Sequence, residues 1–536
     1  MDRMSDAWPP IVQDLLRRAA YGPASGKVTL RTTHASWVFL TEADVWKLKR
    51  PVELGFLDFR DLESRRRACE EEVRLNRRLA PDVYLGVEPV RLTSRGHALG
   101  GDGPIVDWAV HMRRLPDGAS AGALLEQGRL DAGSLSTVAE RLASFLRDAR
   151  STPEFGTPAA LARNLDENFD QVAPFVGELL DQETFDEVQA FQRGALTRNG
   201  ARFAARVAEG RVREGHGDLR LEHVYLLPAK EGPPQPVIID CIEFAERFRC
   251  GDTAAELAFL SMELESEGLP DLAAGLIARF AEASDDFGLY GVLDFYLSYR
   301  AWVRGKVAAF VAVDPSTPFP LGASKREEAR QFFGLARSFS GAPLDRPFLI
   351  AVGGPIGSGK STLAGELGRE LAVPVVSSDR TRKLSAGLPL TAAADGHLYE
   401  PGERDRTYEE VIRRASQVLE AGRGVVLDAT FSTRRWRQLA GEAARSAQAS
   451  FVFVETRCRT DLLRRRLAER RERPSVSDAT EGLLESFLRE YEPVTALDPQ
   501  PCVVVETDQS PEVATRDALR RLATEGILPA SARRAS

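Results

Sequence analysis

The apolar run Trp37-Val38-Phe39-Leu40, a Thr-Glu-Ala-Asp turn and the alternating Val45-Trp46-Lys47-Leu48-Lys49 predict two strands joined as a hairpin. Residues 61–79 are charged on most sides but keep a seam of Val73, Leu75 and Leu79, which predicts an amphipathic helix. Short apolar strands follow at Gly86–Leu92 and Ile105–Met112, and the pattern from 130 to 208 is mainly helical. A polar turn around His216 and the strand Pro236–Asp240 precede further helices up to Phe339. Ser340-Gly341-Ala342-Pro343-Leu344-Asp345 then interrupts the pattern as a linker. Beyond it, apolar strands at Phe348–Val352, Val373–Val376, Val425–Leu427, Phe451–Val454 and Val503–Val505 alternate with helical runs, which predicts a parallel sheet covered by helices. The expected organisation is a domain over 1–339, a linker over 340–347 and an α/β domain over 348–536.

Composition narrows the field. A chain of 536 residues exceeds what one core sustains, and 43% hydrophobic with 28% charged residues describes a soluble globular protein. The net charge of -8 argues against a broad nucleic-acid surface and favours small substrates. Cys69, Cys241, Cys250, Cys458 and Cys502 form no close CxxC pair, as expected of reduced thiols in a cytoplasm. The N-terminus lacks an apolar signal segment, and no run approaches the roughly 20 apolar residues of a membrane span. The cytoplasm is the expected compartment, with no membrane partner.

Chemistry is most legible in Gly354-Pro355-Ile356-Gly357-Ser358-Gly359-Lys360-Ser361-Thr362, which completes G-x-x-x-x-G-K-[ST] between a strand and a helix. Glycines let backbone N–H groups approach the phosphates of ATP, Lys360 offsets their charge, and the Ser361 hydroxyl is placed to ligate Mg²⁺. Asp428 ends an apolar strand as a second magnesium-organising position. Asp379 ends another strand, where it can take a proton from a substrate hydroxyl. Arg464, Arg465, Arg466, Arg470, Arg471 and Arg473 lie on an expected helix. The i, i+4 spacing of Arg466 and Arg470 puts those two on one side, which makes them the favoured candidates to cover the triphosphate. Arg382 is a candidate clamp for an anionic substrate.

This segment, residues 348–508, resembles the P-loop small-molecule kinases grouped with zeta toxins and polynucleotide kinases. The resemblance implies that Asp379 activates the acceptor hydroxyl and that lid arginines cover the phosphates.

In the first half, five features stand in the order of a protein-kinase-like phosphotransferase: Lys47 on a strand, Glu72 on the next helix, His216-Gly217-Asp218, His223, and Asp240 ending a strand. Lys49 competes with Lys47 on the same strand face. Glu70 and Glu71 compete with Glu72, whose helical spacing to Leu75 and Leu79 turns it toward the core. Residues 26–339 resemble the aminoglycoside phosphotransferase family, with its H-G-D-L loop at His216-Gly217-Asp218-Leu219. The resemblance implies a bilobal fold, Asp218 as catalytic base, Asp240 as magnesium ligand and Asp252 as a brace. It departs at His223, which stands where the family carries a metal-binding Asn, and in the lack of a G-x-G-x-x-G loop before the strand lysine.

The chain as a whole resembles bacterial fusions of these two domains. The expected function is ATP- and Mg²⁺-dependent phosphorylation of a small-molecule hydroxyl, with one site in each half. Two alternatives stand beside it. In one, the first half is a pseudokinase that senses a ligand and regulates the second. In the other, the second half is a nucleic-acid end kinase or a toxin-like kinase acting on a cell-wall sugar nucleotide.

Overall fold

The computed structural model describes residues 8–21, 27–53, 57–315, 317–341, 346–390, 392, 398, 400–470, 476–477 and 481–528. Two compact units emerge, one of residues 1–163 with 204–263 and the other of 164–203 with 264–536.

In the first unit, six strands form one antiparallel sheet: β1 (Thr29–Thr32), β2 (Ser36–Leu40), β3 (Asp44–Lys49), β4 (Tyr84–Thr93), β5 (Gly96–Leu99) and β6 (Ile105–Arg113), in the order β1-β2-β3-β6-β4-β5. Alternation along the strands sorts the side chains between two faces. Trp37, Phe39, Leu48 and Ala109 pack with Val12 and Leu15 of the Pro10–Leu15 helix. Val110 and Met112, on the other face, pack with Cys69 and Val73 of the Leu62–Asn76 helix. Lys47 pairs in register with Val110, so the strand period turns Lys47 and Lys49 toward that helix. Asp61 starts the helix by accepting a hydrogen bond from the Ser64 N–H at 2.8 Å.

Two antiparallel ribbons complete the part of this unit that matters for chemistry. β7 (Val212–Glu214) pairs with β10 (Cys250–Asp252), and β8 (Val224–Leu227) pairs with β9 (Gln235–Ile238). His216 and Asp218 lie between β7 and β8, and Asp240 follows β9. Five strands of this unit are absent from the sequence reading: β7, β8 and β10, of three or four residues each, and, in the sheet, β1 and β5. Each of the last two has only four residues, and neither contains a fully buried position that would give it an apolar stripe.

The second unit holds five parallel strands, β11 (Phe348–Gly353), β12 (Val375–Ser377), β13 (Val425–Asp428), β14 (Ser450–Arg457) and β15 (Cys502–Glu506), in the order β12-β13-β11-β14-β15. Leu363 and Leu367 of the Lys360–Glu370 helix and Ala518 and Leu522 of the Pro511–Thr524 helix close one core with Ile350, Val426 and Val452. Helical segments from before residue 340 belong to this unit as well. Arg414 pairs with Asp285 at 2.6 Å, Arg423 with Asp294 at 2.6 Å and Arg202 with Glu420 at 3.0 Å. Glu282 accepts the Val375 N–H at 2.9 Å on β12 and, through its carbonyl, a hydrogen bond from Arg380. The segment 340–347 lies inside this unit, with 342–345 outside the described residues. All five cysteines are free thiols, and among the described residues no helix is long and apolar enough to cross a membrane.

Candidate functional site

The P-loop fills the turn from β11 to the Lys360–Glu370 helix. Gly354 takes φ 143°, and a Cβ there would sit 2.3 Å from Thr456 Oγ1 and 2.7 Å from the Thr456 carbonyl, so only glycine fits. Hydroxyls from the neighbouring strand ends hold the loop. Ser358 Oγ and Thr456 Oγ1 are 2.7 Å apart, and Thr507 Oγ1 donates to the Ser358 carbonyl at 2.6 Å.

At the carboxyl edge of the sheet, Ser361 Oγ donates to Asp428 Oδ1 at 3.0 Å. Asp428 is only 5% exposed. Burial pushes its pKa above the ordinary value, the Lys360 ammonium acts against that rise, and the Asp379 carboxylate adds to it. For Asp379 the balance reverses. Burial disfavours its charge, but Arg382, 2.8 Å away, and Lys360 outweigh burial and hold the carboxyl below its ordinary range. Lys360 thus influences both carboxylates.

Beside the loop lies a cavity of about 460 Å³, bordered by Gly357, Gly359, Arg466, Thr507 and Gln509 and large enough for a small ligand. Arg466 reaches it, donating to the Thr507 carbonyl at 2.8 Å. Arg464 and Arg465 instead form exposed ion pairs with Glu485 and Glu469. The Arg470 side chain, Arg471 and Arg473 lie outside the described residues.

In the first unit Glu72 is fully buried and serves both lysines. Lys47 Nζ is 2.9 Å from Glu72 Oε1 and 2.6 Å from Asp240 Oδ1, while Lys49 Nζ is 2.5 Å from Glu72 Oε2 and also binds Glu243. Glu70 and Glu71 pair with Arg66 and Arg74 at the surface. Desolvation works against the Lys47 ammonium, yet Asp240 and then Glu72 raise its pKa well above the ordinary value. The converse balance, led against desolvation by Lys47 and then His223, holds Asp240 well below the carboxylate range. Asp240 adopts φ 68°, an uncommon backbone conformation for a residue with a side chain. Its N–H donates to Tyr84 Oη at 3.1 Å, and the next N–H, of Cys241, donates to Asn76 Oδ1 at 2.9 Å.

Asp218 is partly exposed, with its backbone fixed on both sides. Its N–H donates to His216 Nδ1 at 3.3 Å, and its carbonyl accepts from His223 Nδ1 at 2.8 Å. His216 Nε2 donates to the Ile239 carbonyl at 2.8 Å, so the ring bonds as a neutral imidazole. Burial, with His223 adding to it, pulls the His216 pKa down to about 4. Between roughly pH 6.5 and pH 4 the unfolded chain takes up a proton that native His216 refuses, so its contribution is complete above that window and falls as pH drops. Urea midpoints of wild type and His216→Gln, compared from pH 7 to pH 4.5, should show a loss on the order of 3 kcal/mol in wild type that the variant lacks. Parallel curves would refute the assignment.

Sequence reasoning missed several supporting groups. Glu256 accepts the Gly217 N–H at 2.9 Å, and Glu263 accepts the Leu221 N–H at 2.7 Å. The signal available was Glu256 and Glu263, seven residues apart in the largely apolar Thr253–Ser266 helix. Asp252 is buried, bonds Arg206 through both oxygens and caps the Ala254 N–H, so its bracing acts at the start of that helix.

Two constellations in one chain, a lysine–glutamate–HGD–aspartate set on a mixed α/β scaffold and a P-loop on a parallel sheet, agree with the class the sequence resembles, an aminoglycoside-phosphotransferase-like domain fused to a P-loop kinase domain. The AAA domain family matches residues 349–494. An uncharacterized protein of Mycobacterium tuberculosis is 31% identical over 440 residues, spanning 80% of this chain and 83% of that protein, and its counterpart in Mycobacterium bovis matches equally. The chain belongs to the same family as these mycobacterial proteins. Among solved structures, a choline/ethanolamine kinase family protein from Mesorhizobium loti covers 59% of this chain and 89% of its own at 12% identity, TM-score 0.36. A gluconokinase from Sinorhizobium meliloti covers 33% of this chain and 93% of its own at 23% identity, TM-score 0.26. Both likenesses are too slight to carry an argument about substrate.

Proposed function

We propose that the protein transfers the γ-phosphoryl group of ATP to a hydroxyl of a small molecule, with one site in each unit, in the cytoplasm. The arrangement that carries this reading is the pair of carboxylates that share the influence of the P-loop Lys360: Asp428 at the end of β13, and Asp379, which lies not at the end of β12 as the sequence suggested but in the first turn of the Ser378–Ser385 helix that follows it.

In the second unit, backbone N–H groups of the loop from residue 356 onward and of the start of the Lys360–Glu370 helix bind phosphate oxygens, and Lys360 offsets their charge. Arg466 covers the cavity next to them. Ser361 and Asp428 would hold Mg²⁺, and the hydroxyl-carboxylate contact at the buried Asp428 supplies the oxygen donors that ion takes. When bound, the ion offsets negative charge on the phosphates. Asp379, ionised at neutral pH, accepts the proton of the acceptor hydroxyl, while Arg382 fixes the carboxylate's orientation.

In the first unit Lys47 reaches the α- and β-phosphates, Glu72 positions it and Asp218 is the acceptor base. The donor pair His223 and Asp240 contains a nitrogen, which fits Mg²⁺ poorly, so no step is assigned to that ion here.

The test is incubation of the full chain with ATP, Mg²⁺ and a bacterial metabolite extract, with products read by mass spectrometry. Lys360→Ala and Asp218→Ala should each abolish a different phosphorylated product. Loss with Lys360→Ala alone would reduce the first unit to ligand sensing. Absence of any ATP-dependent product would overturn the reading.

A further inference from the structure

The two centres differ in the hardness of their donors. Ser361 Oγ and Asp428 Oδ1 are both oxygens. The corresponding pair in the first unit is an imidazole and a carboxylate. His223 is 9% exposed, and with Nδ1 engaged by the Asp218 carbonyl, Nε2 is the ring nitrogen left to meet a ligand. That nitrogen makes no hydrogen bond among the described residues. It lies 3.6 Å from Asp240 Oδ2 and 3.6 Å from Glu222 Oε1. Donors bonded to one ion at about 2.1 Å with an angle of roughly 90–110° lie about 3.0–3.5 Å apart, so a small inward movement puts Nε2 and Oδ2 in one coordination shell. Asp240 spends its other oxygen on Lys47, and the Tyr84 and Asn76 bonds hold its unusual backbone, so Oδ2 stays directed at the imidazole. An aza donor among carboxylates favours first-row transition ions, whereas Mg²⁺ sheds water reluctantly and takes oxygen.

We propose that the first unit selects a transition-metal ion, Mn²⁺ over Mg²⁺, through His223 Nε2 and Asp240 Oδ2, while the P-loop centre of the same chain uses Mg²⁺. The assignment rests on the phosphotransferase reading of the first unit. Its consequence is that the two centres answer to different ions, so supply of one metal sets one site without setting the other.

The experiment uses the full chain with Asp428→Asn, which removes a ligand of the P-loop ion. Mn²⁺ binding in the presence of ADP is read by electron paramagnetic resonance of the free ion, and Mg²⁺ affinity by its competition. The expected result is a Mn²⁺ preference that falls at least about tenfold on His223→Asn, no less than the loss of an outer-shell partner costs a metal site. Asp240→Asn should abolish binding of both ions. An unchanged preference in His223→Asn, with its thermal unfolding midpoint preserved, overturns the proposal, as does the absence of Mn²⁺ binding. A fluorescent ADP analogue, titrated into full-length Lys360→Ala, separates the two levels. Nucleotide bound with an unchanged metal preference overturns the metal assignment alone, whereas no nucleotide binding removes the phosphotransfer reading of the unit and the proposal with it.

Discussion

Asp379→Asn should lower turnover at the P-loop centre by roughly 10²–10⁴-fold while ATP binding is kept, because the amide accepts no proton yet fills the same space. The neighbouring charges make this a clean contrast. Arg382 and Lys360 hold the Asp379 carboxyl below its ordinary range, so the wild-type group is ionised throughout the neutral region. The acid limb of its kcat/KM profile should therefore fall below the ordinary carboxylate pKa of about 3.9. Steady-state kinetics with varied ATP and acceptor checks both statements. A kcat unchanged in Asp379→Asn would show that the residue only orients Arg382.

The second large effect is on stability. Glu72 is fully buried between two lysine ammoniums, 2.9 Å from Lys47 and 2.5 Å from Lys49. Glu72→Ala leaves like charges facing each other across a space that water reaches poorly. Breaking a buried pair in this way costs about 3–5 kcal/mol, so the unfolding transition of the first unit should move to markedly lower urea while that of the second stays in place. Nucleotide affinity at Lys47 should fall with it. A loss below about 1 kcal/mol would mean that Asp240 and Glu243 suffice to hold the two lysines.

The sequence disclosed most where chemistry is contiguous. Nine consecutive residues carry the P-loop, and its glycines are required by the chain itself, as the close approach of Gly354 to Thr456 shows. The first unit was legible through order, because strand lysine, helix glutamate and loop carboxylates keep their sequence while the distances between them vary. The competition between Lys47 and Lys49 had no solution in sequence, since period two puts both on one face, and the folded chain gives Glu72 to both. Glu243 escaped notice because it lies outside any periodic element, and Thr456 and Thr507 because a strand-end hydroxyl has no motif. The arginine-rich helix was only half legible. Spacing favoured Arg466, which does meet the cavity, but it could not tell that Arg464 and Arg465 would be satisfied by neighbouring carboxylates.

Glu282 has a bearing on how the parallel sheet is kept from pairing with other chains. A parallel sheet ends on each side in a strand with unmatched backbone groups, and such an edge recruits other chains. On β12 the carboxylate of Glu282 occupies the Val375 N–H, and its carbonyl ties down Arg380. The Pro270–Ser284 helix thereby occupies one of the outward-facing N–H groups to which an added strand would pair. Chains trimmed to begin at Phe348 would lose that contact, and the freed edge would invite self-association even with every nucleotide-binding residue retained.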